Sequence, residues 1–182
     1  DFTLASGKKS SYYIDLRLVA SFPHIFRKMT KNLQKLVSEK TGLDNFYSLV
    51  AVPTGGLVIG SALAIETVKP LIYVRDKPKD YGTTKSIEGK IFSGMKVILI
   101  DDVITTGNSV INAIKQLKDA GLSISDVYVI INRLEGANNT LELEEVNLYQ
   151  LTDVLEITTI LFQEKLVSKE ILDKINNQIS QN

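Results

Sequence analysis

The fold turns on one stretch, Val97-Ile98-Leu99-Ile100-Asp101-Asp102-Val103-Ile104-Thr105-Thr106-Gly107-Asn108-Ser109. Val97 to Ile100 reads as a buried strand, closed by two adjacent carboxylates. A short turn of Thr and Gly then enters a helix predicted over Asn108–Ala120. There Val110, Ile111, Ile114 and Leu117 recur at helical spacing, and Gly121 supplies the stop. A continuous apolar strand followed by an amphipathic helix is the unit of a parallel sheet covered on both faces. In open sheets of that kind ligands sit at the carboxyl ends of the strands, where the turn after Asp102 must lie.

The same alternation extends in both directions. Leu49 to Val52 is a strand, followed by Pro53-Thr54-Gly55-Gly56 and a helix predicted from Leu57 to about Val68; Leu71–Val74, Val127–Ile131 and Leu148–Leu151 are further strands. Pro23 sits where a first-turn proline opens a helix that runs to about Lys40, with Gly42 beyond it. Residues 1–17 are polar and turn-rich. The tail from Ser168 is an amphipathic helix carrying Ile171, Leu172, Ile175 and Ile179. No repeat or low-complexity linker divides the chain, so residues 1–182 are expected to form a single α/β domain with an N-terminal appendage.

Composition removes whole classes of chemistry. The 182 residues are 44% hydrophobic, and 21 basic side chains balance 21 acidic ones, which argues against a protein that coats nucleic acid or anionic membrane. With no cysteine there is no disulfide framework, thiolate nucleophile, Cys-ligated zinc or iron–sulfur cluster. The single histidine, His24, excludes a His-rich metal site and reads as structural or exposed. No apolar run reaches the roughly 18 residues of a membrane span. Asp1 to Leu4 has neither the basic nor the apolar region of a signal peptide, so the expected location is the cytoplasm.

The chemistry therefore runs on carboxylates, cations, hydroxyls and backbone groups. Free N–H groups at the start of the helix after Gly107, with the Thr and Ser hydroxyls, make an anion pocket. Carboxylates next to an anion pocket suit ribose hydroxyls, which donate hydrogen bonds, or a Mg²⁺ ion held partly through water. A lone Asp there would be read as a helix N-cap. Phosphate loops of other classes are absent: neither G-x-x-x-x-G-K-[ST] nor G-x-G-x-x-G occurs. Val52 to Gly56 reads either as a second anion loop or as an ordinary tight turn. Arg75 to Gly89 is too long for a plain connector, and Arg75 to Lys90 holds five basic and three acidic residues. It is either a solvated hairpin or a cationic flap that closes on an anion.

Val97 to Ser109 resembles the phosphoribosyl-pyrophosphate signature of the type I phosphoribosyltransferases. Phe2 to Arg17 is similar to the N-terminal hood of the members of that family that act on orotate. Arg75 to Gly89 resembles their catalytic flap, with Lys79 and Gly82 in register, and Arg133-Leu134-Glu135-Gly136 resembles their Asp-Arg-x-x-Gly segment, with Asn132 for the Asp. The likeness runs from Phe2 to about Ile157. Departures are Asp76 and Tyr81, where members usually carry Lys and His, and Ala5, where many carry Lys.

The resemblance implies a parallel sheet flanked by helices, with a hood at 1–20, a flap at 75–90 and the signature at 97–109. It implies transfer of a phosphoribosyl group from 5-phosphoribosyl 1-pyrophosphate to orotate, giving orotidine 5′-monophosphate in pyrimidine biosynthesis. The donor would be bound by Arg75, Lys77, Lys79, Tyr81, Asp101, Asp102 and the run Val103, Ile104, Thr105, Thr106, Gly107, Asn108 and Ser109, with Thr54 and Gly55. Lys79, Arg75 and Asp102 would be catalytic, Thr105, Arg133 and Tyr13 would hold orotate, and Asp101 and Asp102 would orient Mg²⁺ through water. A homodimer sharing the flap between subunits is implied too. A purine-using phosphoribosyltransferase and a non-catalytic sensor of the same donor are the alternatives.

Overall fold

The computed structural model describes residues 2–3, 9–10, 12–75 and 86–180. A two-stranded antiparallel ribbon, β1 (Phe2–Thr3) and β2 (Lys9–Ser10), precedes a 3-10 turn over Leu16–Ser21 and helix α1 (Pro23–Lys40). The main elements follow as β3 (Ser48–Ala51), α2 (Gly55–Thr67), β4 (Leu71–Val74), β5 (Ile87–Glu88), β6 (Lys96–Ile104), α3 (Asn108–Asp119), β7 (Ser123–Asn132), α4 (Ala137–Glu142), β8 (Asn147–Asp153), α5 (Val154–Gln163) and α6 (Lys169–Ser180). Strands β5-β4-β3-β6-β7-β8 form one six-stranded sheet, parallel throughout except for β5 on β4.

The pleat of β6 explains why the sequence reads as continuously apolar there. Val97 and Leu99 pack on one face with Val110, Ile114 and Leu117 of α3; Ile98 and Ile100 pack on the other with Leu33 and Val37 of α1 and Ile59 and Leu63 of α2. Both faces are dry, so no polar alternation survives along the strand. Helices α1 and α3 fall within a residue of the predicted bounds. His24 is exposed in the first turn of α1.

Five elements differ most from the sequence reading. Helix α2 starts at Gly55 rather than Leu57, and β6 continues through both aspartates instead of stopping before them. The stretch after Ser86 returns as β5, pairing Glu88 with Tyr73 and Ile87 with Val74 antiparallel to β4. Helices α4 and α5 carry no clean periodic pattern. Burial of Ala137 and Leu141 fixes α4, and α5 adds a cap, the Asp153 carboxylate accepting the Glu156 N–H at its start.

At the opposite end of the sheet from the strands' carboxyl ends, β7 is tied to α1 by a buried polar knot. The Asp126 carboxylate accepts from Thr41 Oγ1 (2.9 Å), Ser125 Oγ (2.6 Å) and Asn147 Nδ2 (2.9 Å). Because Thr41 spends its proton on Asp126, the 2.6 Å bond to Tyr128 must run from the phenol to Thr41. Burial above all pushes the Tyr128 phenol up from 10.0 to about 12. The unfolded chain releases this proton near pH 10, whereas the folded chain keeps it to near 12. The linked stability, roughly 2 kcal/mol, is therefore complete below pH 10 and lost as pH rises through 12. Urea unfolding followed by circular dichroism should show the midpoint falling over that window, and Tyr128→Phe should flatten the fall.

Candidate active site

The site grows from a mismatch in strand length. Pairing of β3 with β6 ends at Ala51 and Ile100, with Val52 N–H reaching Ile100 O at 3.1 Å. Beyond that point the chain leaves β3 through Pro53 and Thr54, whose peptide is cis, and enters α2. Strand β6 runs on, laddered only to β7 through Asp101 with Val129, Val103 with Ile131 and Ile104 with Asn132. Asp101 and Asp102 thus lie inside a strand with one open edge, where the strand order reverses. Such reversal points form the ligand crevice of open α/β sheets.

Gly55 and Gly56 bring α2 down onto these carboxylates. A Cβ on Gly55 would run into the Asp102 carboxylate; one on Gly56 would sit 2.6 Å from Ile100 O and 2.9 Å from Asp101 Cα. Asp101 is buried, and its Oδ1 accepts the Asp102 N–H at 2.9 Å, which fixes the pair relative to each other. Beyond them the chain turns through Gly107, at φ +85°, into α3, whose first N–H groups receive no side-chain cap. Asp101, Thr105, Thr106 and Ser109 line the resulting hollow, a space of about 360 Å³ open to solvent. A neighbouring hollow is lined by Pro53, Arg75, Ser109 and Lys115, which places Arg75 across from the end of the turn.

Arg75 is already engaged, its Nη1 lying 3.0 Å from Glu88 Oε1 on the returning strand. Lys77, Lys79 and Tyr81 lie outside the described residues, as do Asp76 and Ala5.

The hood contributes Tyr12, Tyr13 and Arg17. Arg17 grips Asp15 with two nitrogens at 2.8 Å each and donates to Tyr13 OH at 3.3 Å. Hydrogen bonding by Arg17 holds the Asp15 carboxyl below its ordinary range. Arg17 is held more firmly charged chiefly by Asp15, and Asp102 adds a smaller push, which brings the hood's cation into the field of the acidic pair. Tyr13 stays 51% exposed.

Arg133 follows directly from β7, its N–H bonded to Ile104 O at 2.9 Å. An Arg just past a strand end is ordinarily half of a surface ion pair; Arg133 is only 2% exposed and is not one. Its Nη2 lies 2.8 Å from Glu135 Oε1 and donates to Ser10 Oγ at 2.8 Å; its Nε donates to Tyr12 OH at 3.3 Å. The guanidinium stacks 4.2 Å from the Tyr12 ring centroid. Burial raises the Tyr12 phenol above its ordinary value, with the Arg133 charge working against the shift. Asn132, fully buried, steers the turn: its Oδ1 accepts the Leu134 N–H, and its Nδ2 donates to Asn138 and Gln150.

The fold therefore gathers Thr54, Gly55, Asp101 to Ser109 and Arg75 around one crevice, with Arg133 and Tyr12 at the next strand end. Sequence reasoning passed over Gly56, Arg17, Glu88, Glu135 and Gln178. Gly56 and Arg17 stood inside quoted motifs. Gln178 carried no signal at all. Among the described residues no group of three or more His, Asp or Glu gathers as a metal site, and no helix is long and apolar enough to cross a membrane.

Residues 19–148 match the family described as "Phosphoribosyl transferase domain". The chain belongs to the phosphoribosyltransferase family. Within that family it is 43% identical over 178 residues to an orotate phosphoribosyltransferase of Cenarchaeum symbiosum, covering 98% of this chain and 89% of the relative. The crystal structure of orotate phosphoribosyltransferase from Aeropyrum pernix superimposes with a TM-score of 0.77 at 33% identity, covering 92% of each chain. A Leishmania donovani UMP synthase, at 28% identity and a TM-score of 0.88, covers all of this chain, which spans 38% of that longer protein. The mixed sheet between helices is the architecture of this family. The family match stops at residue 148, before α5 and α6.

Proposed function

We propose that this chain transfers the phosphoribosyl group of 5-phosphoribosyl 1-pyrophosphate to orotate, yielding orotidine 5′-monophosphate and pyrophosphate. The observation that carries the reading is the acidic pair Asp101–Asp102, held under the first turn of α2 and beside the uncapped start of α3. Relatives named orotate phosphoribosyltransferase, identical at about two positions in five, select orotate among the bases. All of residues 1–182 act as one domain, in the cytoplasm.

In the reaction the bond from ribose C1′ to a pyrophosphate oxygen breaks, a bond from C1′ to a ring nitrogen of orotate forms, and that nitrogen's proton is lost to solvent. Backbone N–H groups and hydroxyls of Thr105 to Ser109 hold the 5′-phosphate. The α3 dipole adds only about 0.3–1 kcal/mol, so hydrogen bonds do most of the holding. Asp101 and Asp102 accept from the ribose hydroxyls and offset positive charge developing on the sugar. Two adjacent carboxylates, too few to encircle an ion, fit a Mg²⁺ that keeps waters and substrate oxygens as its other ligands. Bound there, Mg²⁺ would neutralise charge on the departing pyrophosphate.

Arg75, with Lys77, Lys79 and Tyr81 of the flap, binds the pyrophosphate, Arg75 first letting go of Glu88; Thr54 and Gly55 meet the same group. That ion pair is about one-third exposed, so exchanging it for pyrophosphate costs little. Arg133, Thr105 and Tyr13 hold orotate, and a homodimer shares the flap between subunits.

Incubation with the donor, Mg²⁺ and each of orotate, uracil, adenine, hypoxanthine and xanthine tests the assignment by absorbance. Consumption of orotate alone is expected. Turnover of a purine instead, or donor binding without any turnover, would overturn it in favour of one of the two alternatives. Lys79→Ala should lower kcat by ~10²-fold, the loss of one transition-state electrostatic contact.

A further inference from the structure

The C-terminal helix α6 lies outside the family match, yet one of its residues enters the cluster around Arg133. Ile175 is the residue that anchors α6, at 5% exposure, and one turn beyond it Gln178 turns inward. Its Nε2 donates to Glu135 Oε1 at 3.2 Å and to Ser10 Oγ at 3.3 Å. Those two atoms are the partners of Arg133 Nη2. Glu135 Oε1 also faces Tyr12 OH at 3.5 Å, and Ser10 Oγ donates to Tyr12 O at 2.8 Å.

We infer that Gln178 is a positioning residue for the substrate's carboxylate: it ties hood to Glu135 and so fixes the orientation in which Arg133 is offered to orotate.

Three features support this. Glu135 is 3% exposed and neutralises Arg133, so what the guanidinium offers a second carboxylate depends on geometry more than on net charge. Arg133 spends Nε and Nη2 within the cluster, which leaves Nη1 as the nitrogen with no hydrogen-bond partner among the described residues. Ser10 is the hood residue on Arg133 Nη2, and Gln178 bonds it from the side of α6. Without Gln178, Glu135 Oε1 and Ser10 Oγ each lose one donor, and the fork is free to rotate on Tyr12.

This inference rests on Arg133 binding the orotate carboxylate, so the experiment carries both questions. Gln178→Met keeps the length and volume of the side chain but removes both hydrogen bonds; Gln178→Ala removes the packing as well; Gln178→Glu sets a second carboxylate against Glu135. Steady-state constants for orotate and for the donor are measured on each full-length variant, beside Arg133→Lys, with melting temperatures to confirm folding. Gln178→Met should raise the orotate KM about two- to tenfold, the equivalent of one net hydrogen bond lost from the orientation of Arg133, with the donor KM unchanged. Gln178→Glu should be the worst of the three.

A packing role would instead make alanine the worst, and that order overturns the inference. So does a methionine variant with a normal orotate KM, or one whose two KM values rise together. If Gln178→Met is normal while Arg133→Lys is impaired, the inference falls and the Arg133 assignment stands. If Arg133→Lys leaves orotate use unchanged, both fall.

Discussion

Gly55→Ala lowers turnover by about 10²-fold or more while leaving the melting temperature close to that of the parent, the penalty expected when a catalytic group is misplaced by about 1 Å. The three atoms nearest the added methyl all belong to the Asp102 carboxylate, the end of a side chain that can rotate away. The fold loses little, because exchanging Gly for Ala in the first turn of a helix recovers up to about 0.5–1 kcal/mol of backbone entropy. What is lost is the position of the carboxylate to which the proposed reaction assigns the ribose hydroxyls. Gly56→Ala behaves differently. Its methyl meets the backbone of Ile100 and Asp101 at 2.6 and 2.9 Å, and no rotation relieves that. Helix α2 must lift from β6, so stability should fall by about 1–3 kcal/mol along with activity. Thermal melts and steady-state rates on the two variants separate these outcomes. A Gly55→Ala enzyme with near-parental turnover would remove Asp102 from the chemistry.

Arg133→Ala destabilises the fold by about 3–5 kcal/mol, in addition to damaging orotate use, since it strands a buried carboxylate. Glu135 is 3% exposed, and its principal cation would be gone. Pairing the change with removal of that charge tests the cause: Arg133→Met with Glu135→Gln should regain most of the lost stability, because neither buried charge remains. Orotate kinetics should stay impaired in the double variant. Chemical denaturation gives the first quantity and orotate saturation curves the second. Equal stability of the single and double variants would show that the buried pair is not what Arg133 holds together.

The difference between these two sites marks how far the linear order of residues reaches. The turn between the acidic pair and α3 is contiguous, Asp101 to Ser109, so strand, acids, Thr-Thr-Gly and helix all appear in one short string. A cationic excess was legible in the long stretch from Arg75 to Lys90, which the linear order leaves readable as a solvated hairpin or as a flap. Gly55 and Gly56 were ambiguous in sequence, because a glycine needed for close approach and a glycine in a plain turn are spelled the same way. Only the Asp102 carboxylate under α2 distinguishes them.

Around Arg133 the linear reading singled out the residue but not its surroundings, a buried cluster rather than an exposed side chain. Ser10, Tyr12, Glu135 and Gln178 are far apart along the chain, from the hood to the last helix, and their meeting depends on the packing of α6. Glu88 is a similar case, paired with Arg75 because β5 folds back on β4.

By itself, then, the sequence determined the parallel sheet, the helices α1 and α3, and the acidic pair at the head of a Thr-Thr-Gly turn, since each is written in local periodicity and in contiguous residues. The tertiary structure decided which strand edge stays open beside that pair, why two glycines face it, and which partners occupy Arg133. Those depend on distances between segments remote in the chain, and no local pattern of hydrophobicity or charge encodes such distances.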